Sequence, residues 1–139
     1  MPNTANPQDL WFHAAQNHDQ ETLKTCLLAQ PDLINHSDSK HNTALHHAAK
    51  KTDIDMMIWL ISQGAEPGTL NLRHDTPLHF AERNEQAIRV LLEAGANPNI
   101  RNKDWNYPYY FAFYGAMTPE ITRLYIKHGA ELMYIEKDD

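Results

Sequence analysis

Apolar residues recur in pairs along the chain, with about one helical turn between successive pairs. Two stretches show the pattern clearly: Met56, Met57, Leu60 and Ile61 in one, and Ala87, Ile88, Leu91 and Leu92 in the other. This spacing predicts short amphipathic helices that bury one face. Each stretch is followed by a glycine, at Gly64 and Gly95, and a third glycine of this kind is Gly129. Glycine readily adopts the left-handed conformation, so these positions predict helix C-termini.

A six-residue motif precedes each of these two helices. Residues 43–48 read Thr-Ala-Leu-His-His-Ala, and residues 76–81 read Thr-Pro-Leu-His-Phe-Ala, with 33 residues between the two threonines. Thr43 and Thr76 are predicted N-caps, and Pro77 falls at the first position of its helix, where a missing N–H does no harm. Each motif therefore predicts a first helix, so that one repeat consists of two short helices.

Weaker copies extend the repeat in both directions. Residues 107–112 (Tyr-Pro-Tyr-Tyr-Phe-Ala) keep the register of the motif, and residues 11–15 (Trp-Phe-His-Ala-Ala) match its second half. One helix pair cannot bury its own apolar face, whereas stacked pairs form a continuous core. The predicted fold is an all-α solenoid, a single domain over residues 1–139, with about four repeats at 5–37, 38–70, 71–101 and 102–135.

These motifs, together with Gly-Ala-Asn-Pro-Asn at residues 95–99, resemble the ankyrin-repeat family. The likeness covers nearly the whole chain and recurs at the period of that family. It implies a curved stack of helix–turn–helix units with short projecting hairpin loops. It also implies that the chain binds other proteins through the loop tips and the concave face of the first helices. No catalytic activity comes with the fold itself.

Three features depart from the family pattern. His41, His74 and Trp105 stand at the loop tips, where the family usually has glycine. Histidine tolerates positive φ comparatively well, so the tip at Trp105 is the one expected to differ. The third copy is two residues shorter between its helices, which predicts a tight turn around residues 83–85. The fourth copy replaces the Thr, Leu and His of the motif with tyrosines, as expected of a repeat that caps the stack.

The composition excludes several classes of protein. A chain of 139 residues with 42% apolar residues is large enough for an ordinary core. A single cysteine, Cys26, excludes an internal disulfide and favours a reducing, cytoplasmic setting. The formal net charge of −6 argues against general nucleic-acid binding. No apolar run is long enough for a membrane helix, and the first residues do not form a conventional signal peptide.

Nine histidines invite a metal-binding or catalytic interpretation. The resemblance implies instead that His46 and His79 are structural, with ring nitrogens that join loop backbone between repeats. Cys26 lies in an apolar helical stretch and is expected to be buried. Neither a catalytic motif nor a zinc-type spacing is present, so no cofactor and no enzyme activity are expected. The competing hypothesis is an enzyme or metal-binding protein built around the histidines, with His36, His41, His46 and His47 as the candidate metal ligands.

The resemblance implies that partner-binding residues lie at the loop tips and at the exposed ends of the first helices. Those positions are Lys40, Asn42, Lys50, Lys51, Leu72, Arg73, Asp75, Arg83, Asn84, Lys103, Asp104, Trp105, Asn106 and Tyr114. Six of the 12 basic residues fall in this set but only two of the 18 acidic residues. Although cations also favour helix C-termini, this bias predicts a basic concave face. Trp105 and Tyr114 are predicted aromatic anchors.

The predicted function is protein binding by a small inhibitor or adaptor that occupies one partner. The partner is expected to have an acidic contact surface, and the unbound chain is expected to be a monomer that binds neither nucleic acid nor membrane. Two more specific alternatives stay open. One is an immunity-type protein that neutralises a cognate toxin or enzyme, and the other is a secreted effector that binds a host protein.

Overall fold

The computed structural model describes residues 6–113 and 117–132, and within them the chain is helical. Apart from a 3-10 turn at Pro31–Asn35, the described residues form eight α-helices and no β-strand beyond an isolated bridge between Ser37 and Thr43. The helices are α1 Pro7–Gln16, α2 Gln20–Ala29, α3 Ala44–Lys50, α4 Ile54–Ser62, α5 Pro77–Phe80, α6 Glu85–Glu93, α7 Pro108–Phe113 and α8 Pro119–Lys127. In chain order they give four helix pairs, which confirms the predicted all-α solenoid.

The helices stack in two rows. Each first helix contacts the next one, α1 with α3, α3 with α5 and α5 with α7, while α4, α6 and α8 form the second row. Within the pairs, α1 packs on α2, α3 on α4 and α5 on α6. The apolar positions that predicted the helices form the core between the rows. Fully buried are Leu45, Met57, Leu60, Leu78, Ile88 and Leu91.

Two buried histidines join neighbouring repeats. His46 is 1% exposed, and its Nδ1 accepts a hydrogen bond from the Thr43 N–H at 3.0 Å. Its proton therefore lies on Nε2, which donates to the Asp75 carbonyl of the next loop at 2.9 Å. His79 repeats both bonds one repeat later, at 2.9 and 3.1 Å. The structural interpretation of His46 and His79 is confirmed.

The third repeat has a shortened first helix. α5 spans four residues whereas α3 spans seven, and Glu82 takes a left-handed φ of +46° soon after α5 ends. The Asn84 side chain then caps α6 by accepting the Ala87 N–H at 2.9 Å. The two residues that this copy lacks are thus missing from the end of its first helix and the following turn. The predicted tight turn around residues 83–85 is confirmed.

An asparagine clamp joins two pairs of adjacent repeats on the side of the second helices. Asn35 donates to the Gly64 carbonyl at 3.4 Å and accepts the Glu66 N–H at 2.9 Å. Asn99 makes the same two bonds to the repeat after it, at 2.9 and 2.8 Å. Gly68 occupies the equivalent position between them and has no side chain with which to bridge the second and third repeats.

Substitution of this glycine is expected to stabilise the fold. A Cβ at Gly68 would meet no heavy atom within 4 Å, so Gly68→Asn can supply the missing clamp. Two added hydrogen bonds should raise the free energy of unfolding by about 1–2 kcal/mol, measured by urea denaturation. Gly68→Ala is the matched control, because it changes the backbone entropy without adding the bonds. Equal stability of the two variants would contradict the clamp.

The buried histidines also predict that stability falls on acidification. Burial lowers the pKa of His46 and of His79 below the usual histidine value. The unfolded chain takes up protons near pH 6.5 while the folded chain resists them, so stability is full above that pH and is lost below it. The free energy of unfolding, measured by urea denaturation, should be lower at about pH 5.5 than at about pH 7.5. The loss should be smaller in His79→Gln, which keeps only one of the two buried imidazoles; an undiminished loss in His79→Gln would contradict the assignment.

Candidate protein-binding surface

Each loop tip is closed by one short polar side chain. Asp38, Asn71 and Asn102 occupy equivalent positions, 33 and 31 residues apart. In each case Oδ1 accepts hydrogen bonds from the backbone N–H groups two and four residues further along, at 2.9–3.0 Å. Asp and Asn suit this role because their short side chains reach their own loop backbone. The three tips therefore share one shape.

The apex of each tip has a left-handed backbone. The angle φ is +60° at His41, +60° at His74 and +64° at Trp105. This conformation costs a residue with a side chain roughly 1–2 kcal/mol, and the hydrogen bonds that close the tip offset it. The expectation that the Trp105 tip would differ is wrong, because Asn102 imposes the same turn.

Further hydrogen bonds join the tips to one another. The N–H groups of Leu72 and Lys103 donate to backbone carbonyls of the preceding tip, at 3.1 and 2.9 Å. The side-chain amides of Asn71 and Asn102 add a parallel bond to the preceding tip, at 2.9 and 2.8 Å. These bonds hold the exposed side chains in a fixed register. We call this array the tip ladder; it comprises residues 38–43, 71–76 and 102–107.

The predicted partner-binding residues differ in their exposure to solvent. Asn42, Asn84 and Asn106 are half-buried, and the Asn84 side chain is used to cap α6. Tyr114 lies outside the described residues. The exposed members are Lys40, Lys50, Lys51, Leu72, Arg73, Arg83, Lys103, Asp104 and Trp105.

Asp75 requires a correction, because it was predicted to be a contact residue and is buried. Only 7% of its surface is exposed. Its Oδ1 accepts a hydrogen bond from the Asn102 side-chain amide at 2.8 Å, and its carbonyl accepts one from His46 Nε2. Asp75 therefore connects three repeats and exposes little surface to a partner.

A groove of 550 Å³ lies between the second and third repeats on the ladder side. Its lining includes Lys40 and Lys50, the exposed Leu72 and the half-buried ring of Phe80. Lys51, although next in sequence, does not line it; its Nζ donates to a backbone carbonyl of the first repeat at 3.3 Å. The groove thus combines two cations with an apolar wall.

Fewer basic side chains are free to meet a partner in the groove than the sequence count suggests. The Arg73 guanidinium forms an ion pair with Asp104 of the next tip and lies 3.9 Å from Asp75. Within the described part of the chain, no ion pair holds Lys40 or Lys50. Free positive charge in the groove is therefore concentrated on these two lysines.

Two acidic residues that the sequence prediction did not count also lie here. Glu82 lines the groove, and Asp38 lines its smaller continuation beside His47. Partial burial opposes ionisation of Asp38, but hydrogen bonds from the His47 ring and from loop N–H groups hold its pKa below the usual value. The groove and its continuation are therefore lined by side chains of both charges, and not by a uniform basic patch.

Trp105 is the most exposed aromatic ring of the described surface, at 71%. The Arg101 guanidinium lies 5.7 Å from the centroid of this ring and 4.8 Å from that of the buried Tyr107. Cation–π attraction of this kind restricts the orientation of the indole. Trp105 stays a predicted anchor.

Cys26 is 7% exposed, as expected for a buried residue, and burial raises the pKa of its thiol. Among the residues that the structure describes, no group of three or more His, Cys, Asp or Glu side chains could hold a metal ion. Nor is any of the described helices long and apolar enough to cross a membrane.

Comparison with known families decides what the repeats are. A model of ankyrin repeats in three copies matches residues 11–102, which is more than half of the chain. The chain belongs to the ankyrin-repeat family. Ankyrin repeats are protein–protein interaction modules, and the repeat fold itself is not catalytic. The repeats of this chain are therefore a module that binds other proteins.

Similar proteins differ widely in their overall nature. The chain is 34% identical over 94 residues to an intracellular phospholipase A2 of Caenorhabditis elegans, with 63% of the chain and 9% of that protein aligned. It is 36% identical over 86 residues to human transient receptor potential cation channel subfamily A member 1, with 60% of the chain and 8% of that protein aligned. It is 31% identical over 104 residues to dog inversin, with 71% of the chain and 9% of that protein aligned. The chain spans about a tenth of these relatives.

Sequence reasoning found several residues that line the groove, among them Lys40, Lys50 and Leu72, but it missed the side chains that close the tips. The closing residues Asp38, Asn71 and Asn102 recur at the repeat period, so the period itself could have identified them. It also missed Phe80, which follows the motif histidine and lines the groove. The short spacing of the third copy is visible in the sequence, but which side chains it leaves in the groove depends on packing between repeats.

Removal of one closing side chain should test the tip ladder. Asn102→Ala deletes the acceptor of two loop N–H groups and removes the amide that donates to Oδ1 of the buried Asp75. We expect it to lower the free energy of unfolding by about 2–3 kcal/mol, measured by urea denaturation. Asn97→Ala is the control, because it removes a single hydrogen bond in an exposed loop. This variant should lower the free energy of unfolding by less than about 1 kcal/mol. Equal losses would argue against a stabilising ladder.

Proposed function

We propose that this chain is a small inhibitor or adaptor that binds one partner protein through the tip ladder and the groove beside it. The partner presents an acidic contact surface. The observation that carries the proposal is the pair Lys40 and Lys50, which line the groove without an ion pair within the described residues. A carboxylate of a partner can satisfy both charges at once.

The rigidity of the tip ladder supports binding to one specific partner. Backbone and side-chain bonds connect all three tips, so the exposed residues are ordered before a partner arrives. A preorganised surface loses less conformational entropy on association, which favours affinity and specificity. We further propose that the unbound chain is a monomer and that it acts in the cytoplasm, where a thiol such as Cys26 stays reduced.

Site-specific photocross-linking in the native source tests the location. Benzoylphenylalanine at Leu72, which is 49% exposed in the groove, should capture one dominant protein. The same probe at Leu28, which is 87% exposed on α2, is the control and should not capture it. Capture of the same protein at both positions, or only at Leu28, would contradict the proposed surface.

Charge reversal then tests the acidic contact. With the captured partner purified, Lys40→Glu combined with Lys50→Glu should weaken binding by about tenfold or more and reduce its salt dependence. Lys24→Glu with Lys127→Glu carries the same change in net charge outside the groove and should leave the affinity within about twofold. Loss of the partner's activity in the complex would identify an inhibitor, and retained activity an adaptor. Equal affinities of the two double variants would refute the acidic contact.

A further inference from the structure

The early end of α5 leaves a recess beside the last turn of α3. From Ala48 to the N-cap Asp53 is five residues, but from Ala81 to the N-cap Asn84 is only three. The last turn of α3, which carries Lys50, therefore has no counterpart on α5. The space beside Lys50 remains open in the third repeat, and the groove lies there.

The recess has an apolar wall and a cationic rim. Phe80 is half-buried, and its ring meets the buried His46 ring edge-on at 5.8 Å between centroids. Leu72 lines the same space and is 49% exposed. The groove of 550 Å³ and its continuation of 220 Å³ share Lys40, Lys50 and Phe80. The 550 Å³ of the groove lies within the range of pockets that bury whole ligand groups, roughly 300–1,000 Å³.

We infer that this recess binds a linear acidic segment of a partner protein, which inserts one large apolar side chain against Phe80 and Leu72 while neighbouring carboxylates pair with Lys40 and Lys50. The inference rests on the proposed function and specifies the chemistry of its ligand. An extended segment fits because a concave groove admits a protruding side chain, whereas a flat folded surface would leave it unfilled.

The acidic residues of the recess favour this ligand over a general polyanion. Glu82 and Asp38 line the same space as the two lysines, and Arg73 is already paired with Asp104. A nucleic acid presents a phosphate at every nucleotide and would place negative charge against both acids. A peptide segment with carboxylates beside a single apolar residue can pair with the two lysines and avoid Glu82 and Asp38. The recess therefore favours an acidic peptide over a nucleic acid.

Selection from a displayed library of random peptides of about 12 residues tests the inference without the natural partner. Selected peptides should share a large apolar residue next to Asp or Glu. Extension of the turn between Ala81 and Asn84 by two residues, to the length of the second repeat, should fill the recess and weaken their binding by about tenfold or more. Circular dichroism and urea denaturation establish that this variant is folded.

A second variant keeps the test independent of the insertion. Leu72→Asp adds an acid to the recess and should weaken the selected peptides by about tenfold, whereas Leu28→Asp on α2 should leave their affinity unchanged. Peptides without the acidic–apolar pattern, or unaffected by both recess variants, would overturn the inference, as would displacement by a single-stranded oligonucleotide. If no peptide binds but the cross-linked partner still depends on Lys40 and Lys50, the proposed function stands and the linear segment is wrong.

Discussion

The arrangement of the repeats depends on a neutral imidazole ring buried between them. His46 accepts one backbone N–H of its own repeat and donates to a carbonyl of the next, so the ring fixes the position of a whole loop. His79 does the same for the following loop. Without the ring, buried backbone groups on both sides lose their partner, which is among the more expensive defects in a protein core. The tip ladder is the surface consequence of this internal connection.

The binding surface follows from one local irregularity on a regular scaffold. Regular repeats would present similar first helices side by side. The early end of α5 interrupts this row and leaves Lys50 of α3 beside the ring of Phe80. The ladder holds Leu72 and Lys40 at the same recess. This rigid frame surrounds an apolar wall and two lysines that form no ion pair within the described residues, and for that reason we propose it as the site of one protein ligand.

The features that local sequence encodes were predictable. Thr43 and Thr76 begin first helices, apolar pairs mark the second helices, and Gly64, Gly95 and Gly129 have the positive φ expected after a helix. The features that failed depend on distant residues. Asp75 is buried because Asn102, 27 residues away, covers it. Counting charges likewise could not show that Arg73 pairs with Asp104 or that Lys51 is drawn toward the first repeat.

We propose that a partner docks in the groove between the second and third repeats, and this docking can be measured directly. The most direct measurement is a titration of the isotope-labelled chain with the purified partner that the cross-linking identifies. The backbone amide NMR signals of the chain are recorded as the partner is added. We predict that the signals of Lys40, Leu72 and Phe80 shift first and most, while those of α2 and α8 change little. Shifts concentrated on α2 and α8, with Lys40 and Phe80 unchanged, would contradict it.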